Sequence, residues 1–151
     1  MHRFVASSFG LGLLPRRLWG SDTGAGTFGA ALAVGLGALL LAADAEWWLT
    51  LLVGLLATAA SLWSARPFAA EGDPGWICID ETAGTMIAMI GLGGIPWIVA
   101  VAVSRLADIF KVLPGVIHAD RLRGPVGITL DDLAAGAYGL GVGWLLTGVG
   151  V

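Results

Sequence analysis

Long runs without a charged residue dominate this chain and limit what it can fold into. Of its 151 residues, 57% are hydrophobic and only 13% are charged, whereas a soluble domain carries roughly a quarter of charged residues. A helix that crosses a bilayer needs about 17–25 apolar residues, and several runs approach that length. The composition therefore predicts an all-α integral membrane protein.

The apolar runs divide the chain into about five predicted membrane helices. These are Thr27–Ala43, Trp47–Trp63, Thr82–Leu92, Trp97–Phe110 and Leu133–Val151. The third is short, and Gly93-Gly94-Ile95-Pro96 is predicted to form the turn after it. The segment Phe4–Leu14 is too short to cross, so we expect it to lie in the interface or to re-enter the membrane. No cleavage signature follows it, which favours a place in the mature protein. Together these segments predict one compact bundle, a single domain over residues 1–151.

The positive charges predict the orientation of this bundle. Every lysine and arginine falls on one side of the predicted spans: Arg3, Arg16, Arg17, Arg66, Arg105, Lys111, Arg121 and Arg123. The opposite side has Asp44-Ala45-Glu46 and an uncharged turn. Because basic residues favour the cytoplasmic side, we expect a multi-pass protein whose basic side faces the cytoplasm. The basic residues are scattered, so a nucleic-acid partner is not expected.

Five carboxylates lie at that same cytoplasmic side. They are Asp80, Glu81, Asp108, Asp131 and Asp132. Carboxylates without clustered histidine or thiolate favour a hard divalent ion, Mg²⁺ or Mn²⁺. The lone Cys78 excludes a multi-cysteine metal site, and we expect it to be a small buried side chain. The five acids are therefore the candidate metal ligands and catalytic residues.

Each acid also has a purely structural interpretation. The pairs Asp80-Glu81 and Asp131-Asp132 stand at predicted helix N-termini, where acids cap free amides and complement the helix dipole. Asp108 resists this interpretation, because it lies near the C-terminal end of a predicted span, where a carboxylate opposes the dipole. Its neighbours are Arg105 and Lys111, three residues away on either side. They form either a local ion-pair ladder with Asp108 or an anion site beside a metal ligand.

A glycine-rich segment opens the first predicted span. Its sequence, Gly24-Ala25-Gly26-Thr27-Phe28-Gly29, would let backbone amides approach a phosphate at a helix N-terminus. A turn or packing role explains the same glycines equally well. His118 has no second histidine beside it, and we expect it in a surface loop.

At these residues the chain resembles the phosphatidylglycerophosphatase A family, from about Phe9 to Gly136. The resemblance rests on these blocks: Gly10-Leu11-Gly12 with Pro15, Gly26-Thr27-Phe28-Gly29, Asp80-Glu81-x-x-Gly84, Arg105-x-x-Asp108-x-x-Lys111-x-x-Pro114, Asp120, and Gly124-x-x-Gly127-Ile128-x-x-Asp131-Asp132-x-x-Ala135-Gly136. The order and spacing of many short blocks make the match specific. The chain departs from the pattern at Ile79 and Val112, neither of which is a charged position.

The resemblance implies a Mg²⁺-dependent phosphatase of the bacterial inner membrane. Such an enzyme converts phosphatidylglycerophosphate to phosphatidylglycerol and phosphate, with a membrane phospholipid as its substrate. It implies that the five acids hold Mg²⁺ and that Arg105, Lys111, Gly26, Thr27 and Asp120 contact the substrate. Direct attack by water is favoured over an aspartyl-phosphate, because the Asp-x-Asp motif of aspartate phosphatases is missing. The alternatives are a divalent-cation transporter or channel, and a structural membrane subunit.

Overall fold

The computed structural model describes residues 1–71, 74–119 and 121–151, and every regular element in these ranges is a helix. The α-helices are α1 (His2–Ala6), α2 (Leu14–Trp19), α3 (Ala25–Ala42), α4 (Trp47–Ser64), α5 (Ile79–Ala88), α6 (Gly94–Phe110), α7 (Val116–Ala119) and α8 (Gly124–Gly148). Two 3-10 helices, Leu11–Leu13 and Arg66–Glu71, lie between them. The expected all-α class is confirmed for this part of the chain.

Two helices are long and apolar enough to cross a bilayer. They are Ala25–Ala42, with a mean hydropathy of 1.9, and Trp47–Phe68, with 1.6. Only 28% and 22% of these segments are buried inside the protein, so most of their apolar surface points outward. The expectation of five crossing helices is not confirmed. In particular, α5 has 10 residues, which gives about 15 Å of helix, half the thickness of a hydrocarbon core.

Two helices begin earlier than the sequence predicted. Helix α6 starts at Gly94, so Ile95 and Pro96 belong to its first turn and not to the preceding turn. Proline is tolerated there because the first amides of a helix have no intrahelical acceptor. Helix α8 starts at Gly124, nine residues before Leu133, with a proline in its first turn. The acid pair of α8 therefore lies well inside the helix.

Helix α5 occupies the middle of the bundle and packs against α3, α4 and α8. Helix α8 also packs along α6. The backbones of α5 and α8 touch: a Cβ atom on Gly136 would overlap the carbonyl oxygen of Gly84 and lie 3.2 Å from its Cα. Small residues allow such close approach between helices. This contact places the first turns of α5 beside the acidic part of α8.

The N-terminal segment packs against the start of α5. The Cys78 amide donates to the Ala6 carbonyl at 2.9 Å, and the hydroxyls of Ser8 and Thr82 are hydrogen-bonded at 2.9 Å. Thr82 also donates to the Gly29 carbonyl of α3 at 2.9 Å. Ser8 is fully buried. These bonds fix the position at which α5 begins, while the expected place of this segment in the membrane interface stays a prediction.

Candidate active site

All five predicted carboxylates line one cleft of about 200 Å³ at the junction of α5, α6 and α8. The lining residues are Gly75, Ile77, Asp80, Glu81, Asp108, Ile109, Lys111, Asp131 and Asp132. Each of the three helices contributes acids from a different part of the sequence. The structure therefore brings together every acid that the sequence singled out.

Helix α5 presents its acid pair in its first turn. The Asp80 Oδ1 atom accepts a hydrogen bond from the Glu81 amide at 3.1 Å, and the N-cap residue Cys78 makes no side-chain cap bond. Acids in the first turn complement the positive end of the helix dipole. The structural interpretation of this pair is thus partly correct, although Asp80 is also only 3% exposed and lines the cleft.

The capping interpretation of the second pair is wrong. Asp131 and Asp132 lie more than two turns into α8, far from its free amides. Thr129, which resembled part of a capping box, donates its hydroxyl to the Pro125 carbonyl at 2.8 Å and is bonded to Ser61 at 2.7 Å. The two acids are 4% and 5% exposed. Buried charges of this kind need a partner of opposite charge.

Two bases supply part of that opposite charge. Arg105 Nη1 lies 2.9 Å from Asp108 Oδ2 on the same helix and 3.8 Å from Asp132 Oδ1 on α8. Lys111 Nζ lies 2.6 Å from Asp131 Oδ2. The i,i+3 pair of Arg105 with Asp108 confirms the ion pair expected from their spacing, and the contacts with α8 extend it between helices.

The backbone at the end of α6 directs Lys111 toward α8. Lys111 is the C-cap residue of α6 and has a φ of 48°. A positive φ is uncommon for a residue with a side chain. The left-handed turn ends the helix at Phe110, and the Lys111 ammonium group reaches Asp131 from there.

The acids form two overlapping groups. Carboxylate oxygens of Asp80, Glu81 and Asp132 lie within 4.8 Å of one another, and so do those of Asp108, Asp131 and Asp132. Asp132 belongs to both groups. Each group offers three oxygen ligands at a spacing that a single divalent ion can bridge after small side-chain adjustments, given Mg–O distances of about 2.0–2.1 Å.

Two of these carboxyls, outside the predicted spans, are held in an environment that disfavours their charge. Burial raises the pKa of Glu81 well above its usual range, and the nearby Asp132 raises it further. Burial likewise raises the pKa of Asp132, reinforced by Asp80, Asp108 and Asp131. The Glu81 Oε2 atom is enclosed and has no hydrogen-bond partner. A buried, unpaired carboxylate oxygen is costly, and a bound cation would offset that cost.

One glycine of α3 completes the wall beside Glu81. A Cβ atom on Gly26 would overlap Glu81 Oε1 and lie 3.2 Å from Arg105 Nη2. Gly26 therefore lies at the acidic cleft, as the sequence suggested. Thr27 is exposed, and its amide donates to the Gly24 carbonyl at 3.0 Å.

Three further predicted positions lie elsewhere. Asp120, predicted to contact the substrate, lies outside the described residues. His118 is exposed on α7, a short helix and not a loop. Cys78 is fully buried, as expected, and burial raises the pKa of its thiol to about 11.

Sequence reasoning missed the polar contacts that position α5. The Ser8–Thr82 bond joins residues 74 positions apart, and no local pattern in the sequence connects them. Thr82 was treated only as the start of an apolar span. Its position directly after two acids was the sole available signal.

Comparison with known proteins agrees with this geometry. Residues 4–147 match the family model for phosphatidylglycerophosphatase A. The chain belongs to this family. It is thus a lipid phosphatase of the phosphatidylglycerophosphatase type, and the earlier resemblance is confirmed.

A curated relative points to the same reaction class. A Bacteroides thetaiotaomicron protein titled "Putative phosphatidylinositol-3-phosphatase" is 33% identical over 106 residues. The matched region is 66% of this chain and 66% of the relative, just under two thirds of its length. No solved structure matches the chain.

Proposed function

We propose that this protein hydrolyses phosphatidylglycerophosphate to phosphatidylglycerol and phosphate, using Mg²⁺ held by the acidic cleft. The observation that carries the proposal is the meeting of five carboxylates, Arg105 and Lys111 in one cleft of a chain in the phosphatidylglycerophosphatase A family. Family membership supports the reaction class, and the cleft supplies groups suited to a phosphate monoester.

The residues of the cleft fit a hard divalent cation. Their donors are all carboxylate oxygens, which Mg²⁺ prefers, and Glu81 Oε2 is enclosed without a hydrogen-bond partner. Asp80, Glu81, Asp108, Asp131 and Asp132 would hold the ion. When bound, such an ion polarises a phosphoryl oxygen and lowers the pKa of a water molecule.

The two bases would bind the phosphate group of the substrate. Arg105 is suited to this because its planar guanidinium offers paired donors to two phosphate oxygens. The Lys111 ammonium group adds a point charge at the other side of Asp108 and Asp131. In this arrangement the bases offset the charge that develops on the phosphoryl oxygens. Water attacks phosphorus directly, and the lipid alcohol leaves.

The same proposal includes the place of the protein in the cell. We propose one domain over residues 1–151, embedded in the bacterial inner membrane with several crossing segments and with the cleft facing the cytoplasm. Two apolar helices that could cross a bilayer support this. So does the sequence, which puts all eight lysines and arginines on the side of the acids. A lipid substrate would then approach from the bilayer surface beside the cleft.

A cation transporter is less well supported by the same residues. A transport path would require ligands distributed across the depth of the membrane, but the acids described above meet in a single cleft. Ion flux in protein-containing liposomes without release of phosphate would favour transport over hydrolysis.

The test is release of phosphate from phosphatidylglycerophosphate by purified full-length protein in mixed micelles. We expect release with Mg²⁺, loss of release in EDTA, and recovery when Mg²⁺ is restored. Phosphatidylinositol 3-phosphate serves as a comparison substrate, because the curated relative is titled for it. Asp108→Asn should abolish most of the release, whereas Asp44→Asn should not, since Asp44 is exposed and lies outside the cleft.

Asp44→Asn is a close control for the charge change. Asp44 has a φ of 48°, and asparagine tolerates this conformation as aspartate does. Release that persists in EDTA, or equal rates for both variants, would contradict the proposal. Transfer of labelled solvent oxygen into an aspartate of the enzyme would contradict direct attack by water.

A further inference from the structure

Asp132 lies at the centre of the acidic cleft and is shared by two groups of ligands. One group joins it to Asp80 and Glu81, the other to Asp108 and Asp131. We refer to these as the inner group and the outer group. A shared carboxylate between two sets of oxygen ligands is the arrangement that places two divalent ions side by side, about 3.5–4 Å apart, in phosphate-cleaving enzymes.

The inner group has unsatisfied oxygens that point to a bound ligand. Glu81 Oε2 is enclosed and without a hydrogen-bond partner. Thr85 lies four residues further along α5, on the same helical face. Its side chain is 1% exposed, and its Oγ1 also has no partner. A threonine inside a helix commonly bonds to the carbonyl four residues before it, so an unpaired hydroxyl here favours a polar occupant near Glu81.

The outer group is the one that the two bases contact. Lys111 lies 2.6 Å from Asp131, and Arg105 contacts Asp108 at 2.9 Å and Asp132 at 3.8 Å. A divalent ion on these carboxylates would compete with the two bases for the same oxygens. Its binding would therefore release Arg105 and Lys111 toward the phosphate of the substrate.

The charge of the cleft favours two ions. Five carboxylates and two bases carry a formal charge of three negative units. One divalent ion leaves one negative unit, which would repel a phosphate monoester of about −1.5 to −2 charges. A second divalent ion changes the cleft to one positive unit, which attracts it.

We propose that the cleft holds two divalent cations bridged by Asp132, with Asp80 and Glu81 completing the inner position and Asp108 and Asp131 the outer one. This inference rests on the proposed function and adds the number and arrangement of the ions. It also assigns Asp132 a different role from the other four acids. Loss of Asp132 removes a ligand from both positions, whereas loss of Glu81 or Asp108 affects one.

The test uses Mn²⁺ as the probe, with the detergent-purified full-length protein. Equilibrium binding gives the number of ions per chain, and electron paramagnetic resonance reports whether two bound ions are magnetically coupled. We expect two Mn²⁺ per wild-type chain, with a coupled spectrum at full loading. Glu81→Gln and Asp108→Asn should each bind one ion with the spectrum of an isolated Mn²⁺. The control Asp44→Asn should bind two.

Saturation of the wild-type chain at one ion would overturn the inference, and this measurement needs no variant that must fold. Complete loss of binding in both Glu81→Gln and Asp108→Asn, with both variants monodisperse, would also overturn it. These failures are distinct from failure of the proposed function. Metal-dependent phosphate release with one bound ion contradicts only the pair of ions, and two bound ions without phosphate release contradict the function.

Discussion

The contact between Gly26 and Glu81 separates activity from folding stability more sharply than any other feature of the cleft. In Gly26→Ala, the new Cβ would overlap Glu81 Oε1 and lie 2.9 Å from Glu81 Cδ and 3.2 Å from Arg105 Nη2. All three atoms belong to the far ends of flexible side chains. The side chains can therefore move without disturbing the helices, but they move away from their positions in the cleft.

The size of the effect follows from that displacement. Glu81 Cδ must retreat by several tenths of an ångström to reach ordinary contact, and Oε1 must retreat further. A misplacement of about 1 Å costs about 100-fold in rate, equivalent to about 2.7 kcal/mol of transition-state stabilisation. We expect kcat/KM to fall by about that factor. Folding stability should change little, because alanine is favoured over glycine in a helix by about 0.5–1 kcal/mol.

Gly35→Ala is the matched control in the same helix. No atom lies within 4 Å of a Cβ built on Gly35, so we expect unchanged kcat/KM and a small gain in stability. Initial rates of phosphate release at saturating Mg²⁺ and thermal unfolding in detergent measure the two quantities. The reasoning is refuted if Gly26→Ala keeps the wild-type kcat/KM, or if it unfolds at a much lower temperature than Gly35→Ala.

Three further changes test the bases, the support of α5 and the helix packing. Lys111→Met removes the ammonium group and keeps an unbranched side chain, so we expect kcat to fall by about 10²-fold or more with unchanged thermal unfolding; an unaltered kcat would count against a role in phosphate binding. Ser8→Ala removes a buried partner of Thr82, and we expect a loss of about 1 kcal/mol in chemical denaturation with weaker Mg²⁺ activation. Gly136→Ala introduces a Cβ into a backbone contact and should lower the unfolding temperature strongly, whereas Gly141→Ala, which meets no atom, should not.

The apolar runs predicted the first two long helices well. Helices α3 and α4 match the predicted spans to within two residues at each end, because nothing polar interrupts them. The start of α8 was missed by nine residues. Glycine, proline and two acids over Gly124–Asp132 resembled a loop, although proline in the first turn is also a signal for a helix start.

The grouping of the acids could be predicted, but their partners could not. The three blocks fall on the same side of the predicted spans, and this side was enough to anticipate a shared cleft. The i,i+3 spacing of Arg105 and Asp108 likewise predicted their ion pair. The reach of Lys111 to Asp131 depends on a left-handed turn at the end of α6, which no propensity favours for lysine. Such contacts between helices depend on tertiary packing.

The central claim is that phosphate release depends on a metal ion held at the acidic cleft. The direct measurement is the rate of phosphate release from phosphatidylglycerophosphate as a function of Mg²⁺ concentration, for wild type and for Asp132→Asn in the same micelles. The account predicts a saturable Mg²⁺ dependence for wild type that EDTA abolishes. It also predicts almost no release by folded Asp132→Asn at any Mg²⁺ concentration. Wild-type release in EDTA, or an Asp132→Asn rate equal to wild type, would contradict it.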